Sequence, residues 1–380
     1  MIPYSTQDIS DADIRAVAKA LRHPYLTQGP AVLRFEKALA AAGGAKYCAV
    51  FSTGTSALHA AYFAAGVDAG AEVIVPAITF AATANCALYL NARPVFADVD
   101  LETGLMNVAD AASKITSRTR AIVPVDYAGR PAAMAAFRRL ATKHGLTLIE
   151  DGAHSLGASL NGKPVGGLAD MTMFSFHPVK SITTGEGGAI LTNDEAHYNK
   201  LLLFRSHGIA KDIATFERKG LGSWYQEMQL LGFNYRMPDI LAALGESQLK
   251  RLSGFINRRR AVARRYPKLL SGEKNLILPP PERAGEVCAW HLYPVRLAPK
   301  LASRRDAVLA KLREAGIGAQ VHYLPVYRHV YYEKLGYPQG LCPNAEAFAA
   351  SEISLPVYPK LGVADQAKIA KTLKRIIATQ

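Results

Sequence analysis

Short apolar runs alternate with segments of helical periodicity along the first half of the chain. The runs are rich in Val, Ile, Phe and Ala, which is typical of buried strands. They occupy residues 47–51, 72–76, 94–97, 121–125, 146–150, 170–176 and 189–192. Because helical segments lie between most of them, the pattern predicts an α/β fold whose mainly parallel central sheet is covered by helices on both faces.

The segments between the runs carry the start signals of helices. Ser10 and Asp13 form a capping-box pattern before a helix that we expect to end at Leu21. Pro30 suits the first turn of the next helix, where an N–H group would have no helical partner. The pattern predicts two further helices, over residues 53–65 and 131–143.

The second half of the chain predicts a smaller α+β domain. A long helix is expected from about Met237 to Leu270, with an interruption near residues 253–254 as the alternative. A proline-rich stretch follows, and the elements expected after it are a strand at 290–297, a helix at 304–315 and a strand at 319–321. We therefore expect a large domain over residues 1–250 and a small C-terminal domain over residues 251–380.

Composition is that of an ordinary globular protein. The chain has 380 residues, of which 49% are apolar and 20% charged. Its four cysteines form no CxxC pair, so we expect neither disulfides nor a metal site. The N-terminus lacks the basic start and apolar core of a signal peptide, and no apolar run approaches the length of a membrane span. These features predict a cytoplasmic protein without membrane contacts.

The formal net charge of +14 favours an acidic partner. Nucleic acid is one such partner, but the chain has no zinc-finger spacing, RNP-type motif or basic zipper. An anionic small substrate such as a nucleoside diphosphate is the other, because a basic field attracts it. The densest basic cluster follows a helical pattern, which predicts one solvated helix face without a specific role. Its members are Arg258, Arg259, Arg260, Arg264 and Arg265.

Lys180 lies between two apolar runs that are both expected to be strands. The stretch from Phe174 to Gly188 contains Pro178, which excludes a continuous helix and places the lysine on an irregular connection. A lysine becomes a nucleophile toward carbonyl groups when an apolar or cationic site lowers its pKa. On these residues alone, a solvated turn with an incidental lysine is the more frequent structure.

Two other segments lie where α/β proteins bind ligands. The sequence Thr53-Gly54-Thr55-Ser56 follows a strand and opens a helix, which presents free amides and the positive end of the helix dipole to a phosphate. Hydroxyl residues at a helix start are also common as structural caps. Asp151 directly follows a buried strand, at the edge of the sheet where ligands bind, although an aspartate there often caps a helix.

Several motifs together resemble the DegT/DnrJ/EryC1/StrS family of pyridoxal-phosphate sugar aminotransferases. The similarity runs from Ile2 to about Pro359, with Gly152 standing where the family usually has alanine. The motifs are Leu-Thr-Gln-Gly at 26–29, Glu-Asp-Gly-Ala-His at 150–154, Phe-Ser-Phe-His-Pro-Val-Lys at 174–180, Arg-Ser-His-Gly at 205–208 and His-Tyr-Leu-Pro at 322–325. The resemblance implies the type I pyridoxal-phosphate fold and a homodimer.

The resemblance also implies a cofactor site. Lys180 would carry pyridoxal 5'-phosphate, Asp151 would keep the pyridine nitrogen protonated, and His154 would contact the ring or its 3-oxygen. Phe80, which apolar character alone would place in the core, would stack on the ring. The other implied cofactor contacts are Thr53, Gly54, Thr55, Ser175 and, in the active site of the partner subunit, Asn234. For the asparagine, a simple turn residue is the alternative.

Substrate contacts and the reaction follow from the same resemblance. The implied substrate-binding residues are Tyr4, Tyr25, Leu26, Thr27, His322, Tyr323, Leu324 and Pro325. L-Glutamate would donate the amino group, and Lys180 would move the protons as the amine passes to C4 of a nucleotide-linked 4-keto-6-deoxy sugar. Within the family the motifs are most similar to the pseudaminic acid branch, whose substrate is UDP-4-keto-6-deoxy-N-acetyl-L-altrosamine.

Other interpretations stay open on sequence grounds. Family members that act on UDP-4-keto-arabinose or form GDP-perosamine share most of these motifs. The dehydratase branch has histidine in place of the lysine, so Lys180 argues against it. A non-catalytic regulatory or nucleic-acid-binding role would account for the basic charge, but not for the joint occurrence of Thr55, Asp151, Ser175 and Lys180.

Overall fold

The computed structural model describes residues 1–379, and its helices and strands are numbered here in chain order. Helices α1 to α13 span Asp11–Leu21, Pro30–Gly43, Gly54–Ala64, Ala81–Leu88, Val108–Ser113, Met134–His144, Glu195–Phe204, Asp239–Leu249, Leu252–Leu269, Arg305–Glu314, Val330–Lys334, Pro343–Ser351 and Val363–Ile377. Strands β1 to β15 span Tyr47–Phe51, Glu72–Pro76, Arg93–Ala97, Thr119–Ile122, Thr147–Asp151, Ser159–Leu160, Lys163–Pro164, Met171–Ser175, Gly188–Thr192, Ile209–Ala210, Glu227–Met228, Leu276–Ile277, Glu286–Val287, Tyr293–Leu297 and Glu352–Leu355.

A seven-stranded sheet in the order β1-β9-β8-β5-β4-β2-β3 forms the centre of the molecule. Strands β8, β5, β4, β2 and β3 pair in parallel, whereas β9 is antiparallel to both of its neighbours, β1 and β8. Six strands of this sheet therefore run in one direction and β9 runs in the other. The predicted α/β fold with a mainly parallel sheet is confirmed, and the carboxyl ends of the six strands meet at one edge.

Apolar clusters cover both faces of the central sheet. Because side chains alternate along a strand, neighbouring residues of β2 belong to different clusters. Val73 and Val75 pack with Leu58 of α3, whereas Ile74 packs with Phe137 of α6 on the other face. A further cluster on the central sheet, formed with helices α2 and α8, covers the part of the sheet that contains β9. Both faces of the sheet are thus buried, as expected for parallel strands.

Two element boundaries differ from those predicted. The helix expected from Met237 to Leu270 is two helices, because α8 ends at Leu249 and α9 begins at Leu252, slightly before the interruption considered in the sequence. The strand expected at residues 319–321 is only an isolated bridge between Gln320 and Ser354. Both segments have apolar patterns that tertiary contacts divide or shorten.

A second apolar cluster surrounds the three-stranded sheet β12-β14-β15 together with α9, α10 and α13. Ile2 belongs to this cluster and pairs with Ile317, so the N-terminus is part of it. Several residues of the segment 326–349 pack instead in the cluster of the central sheet. The division of the chain near residue 250 stays a prediction.

The basic cluster on α9 does not form one solvated face. Arg258 and Arg264 are exposed, and Arg260 pairs with Glu282, but Arg259 is buried with only 1% of its surface accessible. The prediction is wrong for Arg259 because successive helix residues point about 100° apart, which turns it toward the protein interior. Its partners are described below.

The four cysteines are buried and unpaired. Among residues 1–379, no group of three or more His, Cys, Asp or Glu side chains could hold a metal ion. None of the helices in that range combines the length and the hydropathy that crossing a membrane requires.

Asp13 is a buried polar centre between α1 and α8. One carboxylate oxygen, Oδ2, accepts hydrogen bonds from the backbone N–H and the hydroxyl of Ser10, from Gln248 Nε2 at 2.8 Å and from the guanidinium of Arg251. Its other oxygen accepts from the hydroxyl of Ser247 at 2.6 Å. The capping box predicted at Ser10 and Asp13 is present, and it also joins the N-terminal helix to the rest of the protein.

Replacing Asp13 with alanine is therefore expected to lower the free energy of unfolding by about 3 kcal/mol, since it removes the buried acceptor of Ser247, Gln248 and the partly exposed Arg251. Urea denaturation followed by circular dichroism measures this change. Asp11, an exposed residue in the same helical turn, is the matched control, and its alanine variant should differ from the parent by less than about 0.5 kcal/mol. Equal effects in the two variants would contradict the role given to Asp13.

Candidate active site

A cavity of about 540 Å³ lies at the edge of the central sheet where the carboxyl ends of the strands meet. It is lined by residues that follow β1, β2, β4, β5 and β8. The predicted site residues among its lining are Tyr4, Thr53, Gly54, Thr55, Phe80, Asp151, His154, Ser175, Lys180, His322 and Tyr323. Residues far apart in sequence are thus brought to one place by the parallel order of the strands.

The start of α3 forms a cradle at one side of the cavity. Thr53 caps the helix, since its hydroxyl accepts from the N–H of Ser56 at 3.0 Å. The amides of Gly54 and Thr55 stand in the first turn, where a helix leaves its N–H groups without internal partners. Gly188 of β9 lies directly against this turn, because a Cβ added to it would be 2.6 Å from the carbonyl oxygen of Thr53. The cradle is therefore held in place by close backbone contact, and it suits an anion.

Asp151 is the last residue of β5, and its carboxylate lies inside the cavity wall. One oxygen accepts a hydrogen bond from the Thr83 hydroxyl at 2.8 Å, and the other accepts from the amide of Ala153 at 3.1 Å. Burial raises the pKa of this carboxyl group, while the two hydrogen bonds and the Lys180 ammonium oppose the rise. These interactions favour a buried carboxylate that can pair with a cation in the cavity.

Two further carboxyl groups lie behind Asp151. Burial raises the pKa of Asp126 to about 7, although Ser155 and the amide of Ala132 donate hydrogen bonds to it. Burial also raises the pKa of Glu150, which the nearby Asp126 raises further. Because three carboxylates cannot all be charged in such a small buried volume, the raised pKa values of Asp126 and Glu150 favour their neutral forms and reduce the negative charge next to Asp151.

Lys180 lies on the connection between β8 and β9, as the sequence predicted. Ser175 and Gly188 pair at the ends of the two strands, and the amide of Thr184 donates to the carbonyl oxygen of Phe176 at 3.0 Å. Burial lowers the pKa of the Lys180 amine to about 8, against the opposing effect of Asp151 and with a further lowering by Arg259. The amine is therefore partly neutral near pH 7, which a nucleophile requires.

Two histidines and a tyrosine form a layer beside the lysine. Tyr323 Oη lies 3.2 Å from His154 Nε2, and the rings of His154 and His291 lie with their centroids 4.3 Å apart. Burial lowers the pKa values of both histidines, so both rings are neutral. Within residues 1–379, Nδ1 of His154 has no hydrogen-bond partner. This leaves a buried polar atom next to the cavity for a ligand to contact.

The His322 side chain is held from behind by buried polar groups. Its backbone N–H donates to Glu352, and its Nδ1 lies 2.9 Å from the Ser354 hydroxyl. Burial lowers the pKa of His322 to about 3, so this ring is also neutral. The ring of Tyr4 lies 5.7 Å from that of His322, and both line the cavity. The N-terminal segment and the segment 322–323 thus meet at the cavity that Lys180 also lines.

The remaining predicted residues do not line this cavity. Tyr25, Leu26, Thr27 and Asn234 are exposed, Leu324 is exposed beside the cavity residue Tyr323, and Pro325 is buried. The asparagine forms an isolated bridge with Ser206, outside the cavity of its own chain. Its role in a partner's site, and the substrate contacts of the others, stay predictions.

Comparison with known proteins decides the family. Residues 7–374 match the sequence model of the DegT/DnrJ/EryC1/StrS aminotransferase family. The chain belongs to this family. The match covers the whole central sheet, the cavity and most of the second cluster, so it includes every residue that lines the site except Tyr4.

Individual members of the DegT/DnrJ/EryC1/StrS family are similar over the full chain. A UDP-4-amino-4,6-dideoxy-N-acetyl-beta-L-altrosamine transaminase from Campylobacter jejuni is 38% identical over 380 residues, which are 99% of this chain and 98% of that protein. Helicobacter pylori PseC, an aminotransferase involved in the biosynthesis of pseudoaminic acid, matches with a TM-score of 0.93 at 34% identity, over 100% of both chains. The PLP form of Spr1654 from Streptococcus pneumoniae matches with a TM-score of 0.92 at 29% identity, over 100% of this chain and 99% of that one.

The residues of the cavity fit the pyridoxal phosphate that this family uses. The cradle at Gly54 and Thr55 suits a phosphate, Asp151 suits a protonated ring nitrogen, and the Lys180 amine suits an aldehyde. The unpartnered Nδ1 of His154 offers one further polar contact. These groups occupy different walls of one cavity, as a flat ligand with a phosphate at one end requires.

Three residues of the site were not found from the sequence. Thr83 orients Asp151, His291 stacks on His154, and Arg259 contacts the Lys180 segment. Thr83 lies in an ordinary apolar helix, and Arg259 looks like its basic neighbours in sequence. His291 could have been found as a histidine at the start of an apolar strand, but a satisfied core histidine has the same pattern.

Replacing Gly188 with alanine should weaken pyridoxal phosphate binding about tenfold. The added methyl group would displace the backbone of Thr53 and Gly54, and overpacking of this kind costs about 1–3 kcal/mol. Absorbance titration of the cofactor-free protein measures the dissociation constant. Gly254→Ala on α9 is the control, because a Cβ there meets nothing within 4 Å. An unchanged dissociation constant in Gly188→Ala would show that the cradle does not hold the phosphate.

Proposed function

We propose that this protein transfers the amino group of L-glutamate to C4 of a UDP-linked 4-keto-6-deoxy sugar, with UDP-4-keto-6-deoxy-N-acetyl-L-altrosamine as the preferred substrate. The observation that carries the proposal is the partly neutral Lys180 amine facing a buried Asp151 carboxylate, in one cavity of a family aminotransferase. The reaction would proceed in two halves, with glutamate as donor and the keto sugar as acceptor.

Pyridoxal phosphate supplies an electron sink for the carbanion that forms beside the substrate nitrogen. Asp151 makes this sink effective, because its buried negative charge stabilises a protonated ring nitrogen. Thr83 and the Ala153 amide fix the direction of the carboxylate. Gly54 and Thr55 hold the phosphate end, and Phe80, exposed at the cavity with 63% of its surface, offers an apolar face for the ring.

Lys180 is the group that moves protons. With a pKa of about 8, roughly one amine in ten is neutral at pH 7, whereas an ordinary lysine is almost entirely charged. The neutral amine can take a proton from the donor carbon, and the ammonium can return it. The same lysine would deliver a proton to the sugar-derived carbon in the reverse half, which fixes the configuration of the new amine.

The choice of sugar rests on the activities after which the similar proteins are named. The Campylobacter jejuni relative is named for the altrosamine product, and the Helicobacter pylori structure is assigned to pseudoaminic acid biosynthesis. The net charge of +14 suits a UDP-sugar, since it attracts a pyrophosphate. Tyr4, His322 and Tyr323 would contact the sugar, since all three line the cavity.

The proposed enzyme is a cytoplasmic homodimer with shared active sites. Several large apolar side chains are exposed on the single chain, among them Tyr89, Leu231 and Phe233, and a second copy would cover them. Asn234 follows this apolar segment directly. In the dimer its amide would reach the cofactor phosphate of the partner.

An absorption experiment tests the proposal. The protein with bound cofactor should lose its visible band when L-glutamate is added and regain it only with the keto-altrosamine nucleotide, not with UDP-4-keto-arabinose or a GDP-linked 4-keto sugar. Lys180→Ala should show neither change, whereas Lys311→Ala, which alters an exposed lysine of α10, should behave as the parent. Recovery with a different sugar would leave the aminotransferase and reject the substrate. A protein that stays colourless with pyridoxal phosphate would reject both.

Replacing Asp151 with asparagine is expected to lower kcat/KM on the order of 100-fold or more, because it removes the charge that supports the electron sink while keeping the size of the side chain. Steady-state assays with glutamate and the keto sugar measure the loss. The visible band should persist, since Lys180 is unchanged. Asp306→Asn, at an exposed position of α10, is the control. A kcat/KM within twofold of the parent would remove Asp151 from the mechanism.

A further inference from the structure

Arg259 is buried beside the active site without an acidic partner. Only 1% of its surface is accessible, and it is the largest of the fully buried side chains. None of the ion pairs within residues 1–379 includes it. Charged groups are rarely buried in this way because removal from water costs several kcal/mol unless other contacts offset it. A buried, uncompensated cation next to a cavity therefore needs an explanation.

The guanidinium is held by backbone carbonyl groups of separate segments. Its Nη1 donates to the carbonyl oxygen of Val357 at 2.8 Å, and its Nη2 donates to that of Val179 at 3.1 Å. Longer contacts reach the carbonyl oxygens of Trp290 at 3.4 Å and Lys180 at 3.5 Å. The planar guanidinium thus joins α9 to the lysine segment, to the segment before β14 and to the segment after β15.

We propose that Arg259 is a positioning residue for Lys180: it fixes the peptide that carries the lysine and places an uncompensated positive charge beside the amine. The inference rests on the proposed role of Lys180 as the group that binds the cofactor. Carbonyl groups can hold a guanidinium but do not neutralise it, whereas a carboxylate partner would. The contacts to backbone oxygens therefore orient the lysine and preserve the field of the cation.

The charged groups near Lys180 are few and act in opposite directions. Asp151 stabilises the ammonium form, and Arg259 stabilises the neutral amine. Glu186 also lines the cavity but is exposed, so solvent screens its charge. Arg259 is thus the one cation that opposes Asp151 in the interaction with the lysine.

The buried histidine and tyrosine side chains beside Lys180 are uncharged. Burial lowers the pKa values of His154, His291 and His322, and burial raises those of Tyr4 and Tyr323. None of these five carries charge between pH 6 and pH 9. His177 also lines the cavity but is exposed, so solvent screens it. Asp126, whose pKa burial raises to about 7, is present in the parent and in the variants alike, so a change of the Lys180 midpoint on substitution of Arg259 reports on Arg259.

The test is the pH dependence of Lys180 labelling in the full-length protein freed of cofactor. Acetic anhydride reacts with neutral amines, and peptide mass spectrometry gives the labelling rate at Lys180. The midpoint should lie near pH 8 in the parent. In Arg259→Met it should rise by about one pH unit, because removal of a nearby cation favours protonation, and labelling at pH 7 should fall about tenfold. Arg258→Met, an exposed neighbour in the same helix, is the matched control and should keep the parent's midpoint.

Arg259→Lys provides a second variant that keeps the charge but loses the fork. It should retain the midpoint near that of the parent, while amide hydrogen exchange in residues 177–183 becomes at least severalfold faster. A folded Arg259→Met with an unchanged midpoint would overturn the electrostatic part. If Arg259→Met does not fold, the result for Arg259→Lys decides. Parental exchange together with a parental midpoint in Arg259→Lys would overturn the positioning part. A raised midpoint in Arg259→Lys would overturn the electrostatic part.

Neither measurement needs cofactor or sugar. Failure of the proposed function would appear as a missing visible band or a different sugar specificity in the parent protein, with the Lys180 midpoint still near pH 8 and still sensitive to Arg259. If this inference fails, the parent protein keeps its visible band and its reaction with glutamate. Arg259→Met and Arg258→Met then show the same Lys180 midpoint. The two outcomes are therefore separable.

Discussion

An amine and a carboxylate share one cavity at the edge of the central sheet, and much of the structure serves to keep both there. Burial favours the neutral form of Lys180 and of Asp151 alike, whereas their mutual attraction favours the charged forms. The balance depends on what surrounds them. Thr83 donates to the carboxylate, burial raises the pKa values of Asp126 and Glu150 next to it, and Arg259 donates to a carbonyl oxygen of the lysine segment. Each surrounding group lies on a different element, so the chemistry of the pair depends on the whole arrangement of the sheet.

The features that depend on short local patterns could be predicted from the sequence. The strands of the sheet are apolar runs, the capping box from Ser10 to Asp13 spans four residues, and Pro178 excludes a continuous helix through the Lys180 segment. The resemblance to known aminotransferases then named half of the residues that line the cavity, including Tyr4 and His322, which no periodicity would select. Both the local patterns and the family motifs lie in short stretches of sequence, so they can be recognised without a structure.

The parts that could not be predicted depend on contacts between distant segments. Arg259 has basic neighbours on both sides, and only the packing of α9 distinguishes the buried member of the series from the exposed ones. The break between α8 and α9 falls at residues 250–251, where Arg251 contacts Asp8 and Asp13, which are 243 and 238 residues away in sequence. The ring of His291 packs against that of His154, which lies far earlier in the chain. Sequence patterns predict a helix or a strand, but they do not predict which distant residues pack against it.

The reversed direction of β9 has an entropic consequence for the lysine. In an all-parallel sheet, the chain leaving β8 would have to cross to the opposite edge before the next strand, and the segment after β8 would be a long crossover. Here Ser175 and Gly188 close the segment into a loop, and the bond from Thr184 to Phe176 closes a smaller loop within it. Short closed loops have few conformations to lose. The ordering of Lys180 is therefore achieved once, when the protein folds, and need not be repeated in each catalytic cycle.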